Sequence, residues 1–152
     1  MGFTNLFTPI KLGKAAIKNR IAMAPMGVGF YSPDETWPKS EIRYFEERAI
    51  GGMGLIITPF VRVHGSLASI PIIGMYDDKF IPSHEEFVQR IHKHDARTFM
   101  QIALTGGKLG SDAPSAVYSE NYVVKPRALT TGELDGLIES FIKAAGRAQK
   151  AG

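Results

Sequence analysis

The stretch Asn19-Arg20-Ile21-Ala22-Met23-Ala24-Pro25-Met26-Gly27 decides how the chain is read. Ile21 to Ala24 is a short apolar run ended by Pro25, and a strand apolar on both faces suits a parallel sheet covered on both sides. Downstream, Gly54-Leu55-Ile56-Ile57-Thr58 reads as a second buried strand ended by Pro59, and Arg97-Thr98-Phe99-Met100-Gln101-Ile102 as a third. Upstream, Pro9 to Leu12 and Ala16 to Lys18 flank Gly13-Lys14, the pattern of a β-hairpin.

Amphipathic helices separate the strands. Ile42, Phe45 and Ala49 share one face of a helix over Ser40 to Ile50, which Gly51-Gly52 ends. Ser83-His84-Glu85-Glu86 reads as a capping box opening a helix through Phe87, Val88 and Ile91 to about His94. Thr130-Thr131-Gly132-Glu133 reads as a second one, starting a helix that carries Leu134, Leu137, Ile138, Phe141 and Ile142. Buried strands alternating with amphipathic helices predict parallel βαβ units. The loops after the strands are long and the returns to them short, so function is expected at the carboxyl ends of the strands, as in a (β/α)8 barrel. The expected fold class is α/β, the N-terminal part of a TIM barrel. It is one partial domain over 1–152, with the hairpin at 8–18 and βα units at about 20–50, 53–95 and 97–152. A closed barrel takes about 250 residues, so an open sheet is expected to expose Ile56, Ile102 and their neighbours.

Composition narrows the possibilities. With 152 residues, 44% hydrophobic and 22% charged, the chain can bury a core. A net charge of +3 with no Lys/Arg run beyond two gives no stripe for nucleic acid. The absence of cysteine excludes disulfides, thiolate metal sites and cysteine nucleophiles within the chain. The N-terminus lacks the pattern of a signal peptide, Leu6 breaks a myristoylation motif, and no apolar run reaches the length of a membrane span. A cytoplasmic protein without nucleic-acid or membrane partners is expected.

The three strand tips carry the chemistry. Pro25 removes a donor and fixes φ, Gly27 lets a planar ligand approach the backbone, and the Gln101 amide offers both donor and acceptor, which suits a polar ring edge such as a flavin pyrimidine. Each has a plainer reading: Pro25 as a strand terminator, Gly27 as a turn residue, Gln101 as the holder of a structural hydrogen bond. His92 and His94, two apart, do not share a helix face and read as solvated; His64 and His84 have no carboxylate at a telling spacing. Tyr31 reads equally as a pocket aromatic or a surface aromatic, and Trp37-Pro38 reads as the anchor of the first helix.

Leu6-Phe7-Thr8-Pro9-Ile10-Lys11-Leu12-Gly13 followed by Lys18 through Met26 resembles the opening of the Old Yellow Enzyme family, the FMN-dependent ene-reductases that include dienoyl-CoA and 2-enoate reductases. The register continues through Tyr44 to Ala49, Gly52 to Thr58, Gln101, Thr130 to Leu134, and Ala144 to Gly152, so the resemblance spans essentially the whole chain. It implies FMN lying across the strand tips, with NADH or NADPH as reductant. It also implies that Pro25 and Met26 contact the ring, that the Gly27 N–H approaches its reactive edge, that Gln101 bonds the pyrimidine edge and that Thr58 lies beneath the ring. Gly27 stands where many relatives place Thr or Cys, and Pro59-Phe60 where many have small residues; Leu104 and Gly106-Gly107, with Lys108 next, replace the His and Gly-Arg that often follow the Gln.

The resemblance further implies an NAD(P)H oxidoreductase acting on an enone, enoate or enoyl-thioester. The family's substrate-anchoring His pair, proton-donating Tyr and phosphate-binding Gly and Arg would all follow Gly152. No catalytic residue and no metal ligand is therefore assigned within the chain, and the missing barrel half or further copies are the expected partners. The alternative is a non-catalytic partial barrel acting as a structural or interaction protein through oligomerisation.

Overall fold

The computed structural model describes residues 3–29, 32–65, 71–104, 112–118, 120 and 125–152. Its centre is a parallel sheet of β3 (Ala22–Met23), β4 (Leu55–Arg62) and β5 (Arg97–Ala103) in the order β3-β4-β5. Helices α1 (Lys39–Ile50) and α2 (Ile81–His92) connect these strands, and α3 (Thr131–Lys150) follows the last. A hairpin of β1 (Ile10–Leu12) and β2 (Ala15–Ile17) precedes them, turning at Gly13-Lys14. The α/β class and the succession of hairpin and βα units are those expected of part of a (β/α)8 barrel. Two short strands, β6 (Asp112–Ala113) and β7 (Arg127–Ala128), pair in the segment before α3; nothing in the sequence pattern marked them.

The helices cover one face of the sheet. Ile42, Phe45 and Ala49 of α1, Phe87, Val88 and Ile91 of α2 and Ala144 of α3 form a single core with Ile56, Val61 and Val63. This burial, at about 25 cal/mol per Å² of apolar surface, supplies most of the stability. Along β5 the other face alternates out: Arg97, Phe99 and Gln101 are exposed while Thr98, Met100 and Ile102 are half-buried. The expectation that an open sheet exposes Ile56 and Ile102 is therefore corrected. Ile56 is fully buried and Ile102 packs against the same core, and the apolar side chain left at the open face is Phe99.

Local chemistry explains the connections. Helix α1 ends in a Schellman motif: Gly52 takes φ +101°, its N–H donates to Ala49 O, and the Met53 N–H donates to Arg48 O. At Gly54 the backbone passes so close to Asn19 that a Cβ would meet Asn19 Oδ1 at 2.4 Å. The Asn19 amide donates to Gly52 O and its oxygen accepts from Ile21 N–H, so one buried side chain joins the entry of β3 to the entry of β4. Helix α3 opens with the predicted capping box, Thr130 and Glu133 each bonding the other's backbone N–H.

Two expectations are corrected. Pro59 does not end its strand: β4 runs on to Arg62, with Pro59 inside a register shift between Ile57 and Phe60. A bulge tolerates proline because it leaves a residue out of the ladder. Ser83 does not cap α2. That helix begins at Ile81, directly after a 3-10 turn at Asp78–Phe80 that Asp77 caps. The Ser83 hydroxyl instead accepts from Trp37 N–H, and Glu86 pairs with Lys39, so contacts with the neighbouring helix override the local motif. Tyr31, Gly106-Gly107 and Lys108 lie outside the described residues. Among those that are described, no helix is long and apolar enough to cross a membrane.

Candidate functional site

Three adjacent parallel strands bring their carboxyl ends to one side of the sheet, the side that carries the ligand in barrels of this kind. Pro25-Met26-Gly27 follow β3, Thr58 stands within β4 and Gln101 within β5. Between the pairs Ile57↔Phe99 and Phe60↔Gln101, β4 advances three residues where β5 advances two, so Thr58 and Pro59 form a bulge. The Thr58 hydroxyl accepts the Gln101 backbone N–H at 3.0 Å inside it. A side-chain oxygen thus satisfies a ladder donor where regular pairing is interrupted.

These residues divide into a surface and its support. Pro25, Met26, Gly27 and Gln101 are exposed, Met26 at 47%. Thr58 is buried at 2% exposure and stands behind that surface, joined to it through Gln101. A Cβ built on Gly27 would meet nothing within 4 Å, so the backbone there faces open space. An exposed thioether and an open glycine backbone after β3, with an exposed amide across β4 on β5, suit one flat heteroaromatic ligand with a polar edge. The FMN isoalloxazine is such a group, and the residues present fit it.

Two polar clusters apart from this surface escape sequence reasoning, because their members are far apart in the chain. At the end of β4, the buried Arg62 guanidinium pairs with Glu35, whose other carboxylate oxygen accepts from the Tyr76 hydroxyl. Deeper, Trp37 Nε1–H donates to His84 Nδ1 at 2.9 Å, so Nε2 carries the proton and donates to Gly74 O at 2.9 Å. Burial pushes the His84 pKa down to about 4, so the ring is neutral. Trp37 itself stacks on Phe87, as an anchor for the start of α1. His94 reaches only to 3.7 Å from the Glu46 carboxylate. No group of three or more His, Cys, Asp or Glu able to hold a metal ion is present among the described residues.

A hairpin followed by three parallel βα units defines the chain as part of a (β/α)8 barrel. The sequence model of the NADH:flavin oxidoreductase / NADH oxidase family, a family of FMN oxidoreductases, matches residues 5–152, and the chain belongs to that family. It is 34% identical to an NADH oxidase of Thermoanaerobacter brockii over 98% of its own length and 24% of the relative's. It is 34% identical to a cinnamate reductase of Clostridium sporogenes (97% and 24%) and 36% identical to an NADPH dehydrogenase of Halalkalibacterium halodurans (97% and 45%). Among solved structures it superposes on 2-naphthoyl-CoA reductase bound to 2-naphthoyl-CoA with a TM-score of 0.88 and 25% identity, over 99% of this chain and 26% of that one. An old yellow enzyme homologue from Zymomonas mobilis gives 0.83 and 29%, over 97% and 46%. The chain therefore spans about a quarter to a half of the relatives it matches.

Proposed function

We propose that this chain is the flavin-holding part of an FMN-dependent ene-reductase. When bound, FMN supplies hydride chemistry, passing reducing equivalents from NADH or NADPH to the β-carbon of an activated alkene. The chain's own residues orient the cofactor. Pro25 and Met26 lie against the ring, the Gly27 backbone gives it room, and the Gln101 amide pairs with its pyrimidine edge. Thr58 contributes by fixing the Gln101 backbone. The observation that carries this reading is the Thr58–Gln101 bond within the β4 bulge, which fixes the Gln101 backbone in β5, on the far side of β4 from β3.

The substrate class we assign to the whole enzyme is a small enone, enoate or enoyl-thioester; relatives named for cinnamate and naphthoyl-CoA reduction support it. The proton donor and the groups that hold the substrate carbonyl are supplied from outside these residues, by the rest of a barrel or by another chain. The unit over 1–152 acts as one partial domain in the cytoplasm. The family match favours this reading over a non-catalytic scaffold.

The test is an FMN titration of the purified chain, followed by flavin fluorescence with size-exclusion chromatography alongside. Saturable binding to a defined species supports the reading. A folded chain that leaves FMN fluorescence unchanged at hundreds of micromolar overturns it.

A further inference from the structure

Glu35 is one of only two non-glycine residues with positive φ among the described ones, at +61°. For a residue with a Cβ and no amide this conformation is costly, and it persists only where the surroundings hold it. Here they hold it from three sides. The Glu35 carboxylate takes the Arg62 guanidinium on one oxygen and the Tyr76 hydroxyl on the other, while its backbone carbonyl accepts the Gly74 N–H at 2.8 Å. Burial and the adjacent carboxylate raise the Tyr76 pKa and keep the phenol a donor.

Arg62 is the last residue of β4, at the ligand end of the sheet, and its side chain is 3% exposed. Its backbone is tied as well, its N–H to Ile73 O and its carbonyl to Met75 N–H, both at 2.8 Å. Its Nε–H is a buried donor with no acceptor among the described residues. An unsatisfied buried guanidinium nitrogen beside a strained backbone costs stability, and such costs gather at working sites.

We propose that Glu35, Arg62 and Tyr76 are positioning residues: a clamp that holds residues 32–36, downstream of Pro25-Met26-Gly27, onto the end of β4, and so keeps the cofactor face assembled. The role toward FMN rests on the flavin reading above; the clamping of the segment does not. Glu35 carries the strain where its two carboxylate oxygens meet the Arg62 guanidinium and the Tyr76 hydroxyl.

The experiment is hydrogen exchange on the full chain, wild type against Glu35→Gly, Glu35→Gln and Tyr76→Phe, with melting temperature and FMN affinity measured on the same samples. Glu35→Gly removes both the strain and the carboxylate, Glu35→Gln only the charge, and Tyr76→Phe a single hydroxyl. The clamp predicts exchange faster by about tenfold or more at the Gly74 and Thr36 amides in both Glu35 variants. Amides of α2 and β5 should keep their protection, and FMN affinity should fall about fivefold or more. Tyr76→Phe should show the same pattern more weakly. Unchanged or slower loop exchange in Glu35→Gly, with a higher melting temperature, would show a merely strained loop and overturn the proposal. Faster exchange everywhere with a lower melting temperature would make the cluster an ordinary structural ion pair and overturn it too. A loosened loop with unchanged FMN affinity removes the positioning role. Should the wild type not bind FMN, the flavin reading and the positioning role fail together, and the exchange pattern still decides whether the segment is clamped.

Discussion

The Gln101 backbone N–H donates to the Thr58 hydroxyl at 3.0 Å, so a buried threonine in one strand holds the backbone of an exposed glutamine in the next. Thr58→Val keeps the shape of the side chain and removes the acceptor. It leaves a buried donor unsatisfied, and a loss of about 1–3 kcal/mol is expected. Thr58→Ser restores the oxygen and should recover most of it. Urea unfolding measures both; equal stability of Val and Ser variants would mean that the hydroxyl is dispensable.

What was legible in the sequence was mostly what local geometry enforces. Thr130 and Glu133 cap α3 because both partners lie within one turn of the chain, and Gly52 ends α1 because its backbone conformation excludes most other residues. Pro59 departs from the stop that proline usually signals because a bulge carries it through the strand and brings Phe60 opposite Gln101. Ser83 misled because its hydroxyl serves Trp37, 46 residues away. Pro25, Met26 and Gly27 follow their strand as position in the sequence indicates, whereas Thr58 and Gln101 lie within theirs. The division of labour among them, with Thr58 buried and Gln101 exposed, depends on the register between β4 and β5, and residue spacing does not encode that register. Glu35, Arg62 and Tyr76 could not be joined from sequence, since 27 and 41 residues separate the bonded pairs.

His84 makes the fold acid-sensitive. Its folded pKa of about 4 lies below the ordinary value of 6.5, because burial among Trp37 and its neighbours disfavours the cation. The unfolded chain therefore binds the extra proton first. The stabilisation is complete above pH 6.5 and is lost as pH falls toward 4, by roughly 3 kcal/mol if the shift is fully realised. His84→Gln cannot titrate, so the difference in unfolding free energy between wild type and variant should shift in the variant's favour across that window. Trp37, the single tryptophan, reports the transition by its own fluorescence. A difference independent of pH would place the His84 pKa near its ordinary value in the fold.

Glu41 predicts the opposite slope. It is 2% exposed, its Oε2 has no hydrogen-bond partner among the described residues, and burial raises its pKa to about 7. A carboxyl raised in this way supports the fold fully below pH 4.5 and loses that support as pH rises through 7. Glu41→Gln should match wild type at pH 4.5 and exceed it at pH 8 by roughly 1–3 kcal/mol. Thermal or urea unfolding at the two pH values decides it, and a variant less stable at pH 8 would show that the carboxylate has a partner there.

Gln101 offers the cleanest separation of fold from proposed function, because its structural bond and its proposed one fall on different atoms. The backbone N–H serves the sheet through Thr58, while the side chain is exposed on the open face. Gln101→Ala keeps the first and deletes the second, so its stability should stay within about 0.5 kcal/mol of wild type. If the amide pairs with the flavin edge, one or two hydrogen bonds are lost on binding, worth about 1–3 kcal/mol, and FMN affinity falls about 5- to 100-fold. Gln101→Glu sharpens the test: the carboxylate accepts but does not donate, so it recovers affinity only if the amide acts solely as an acceptor. A plain structural glutamine predicts the reverse, lower stability in both variants and unchanged FMN binding. Measuring unfolding and FMN titration on the same three proteins therefore separates the two readings without reference to turnover.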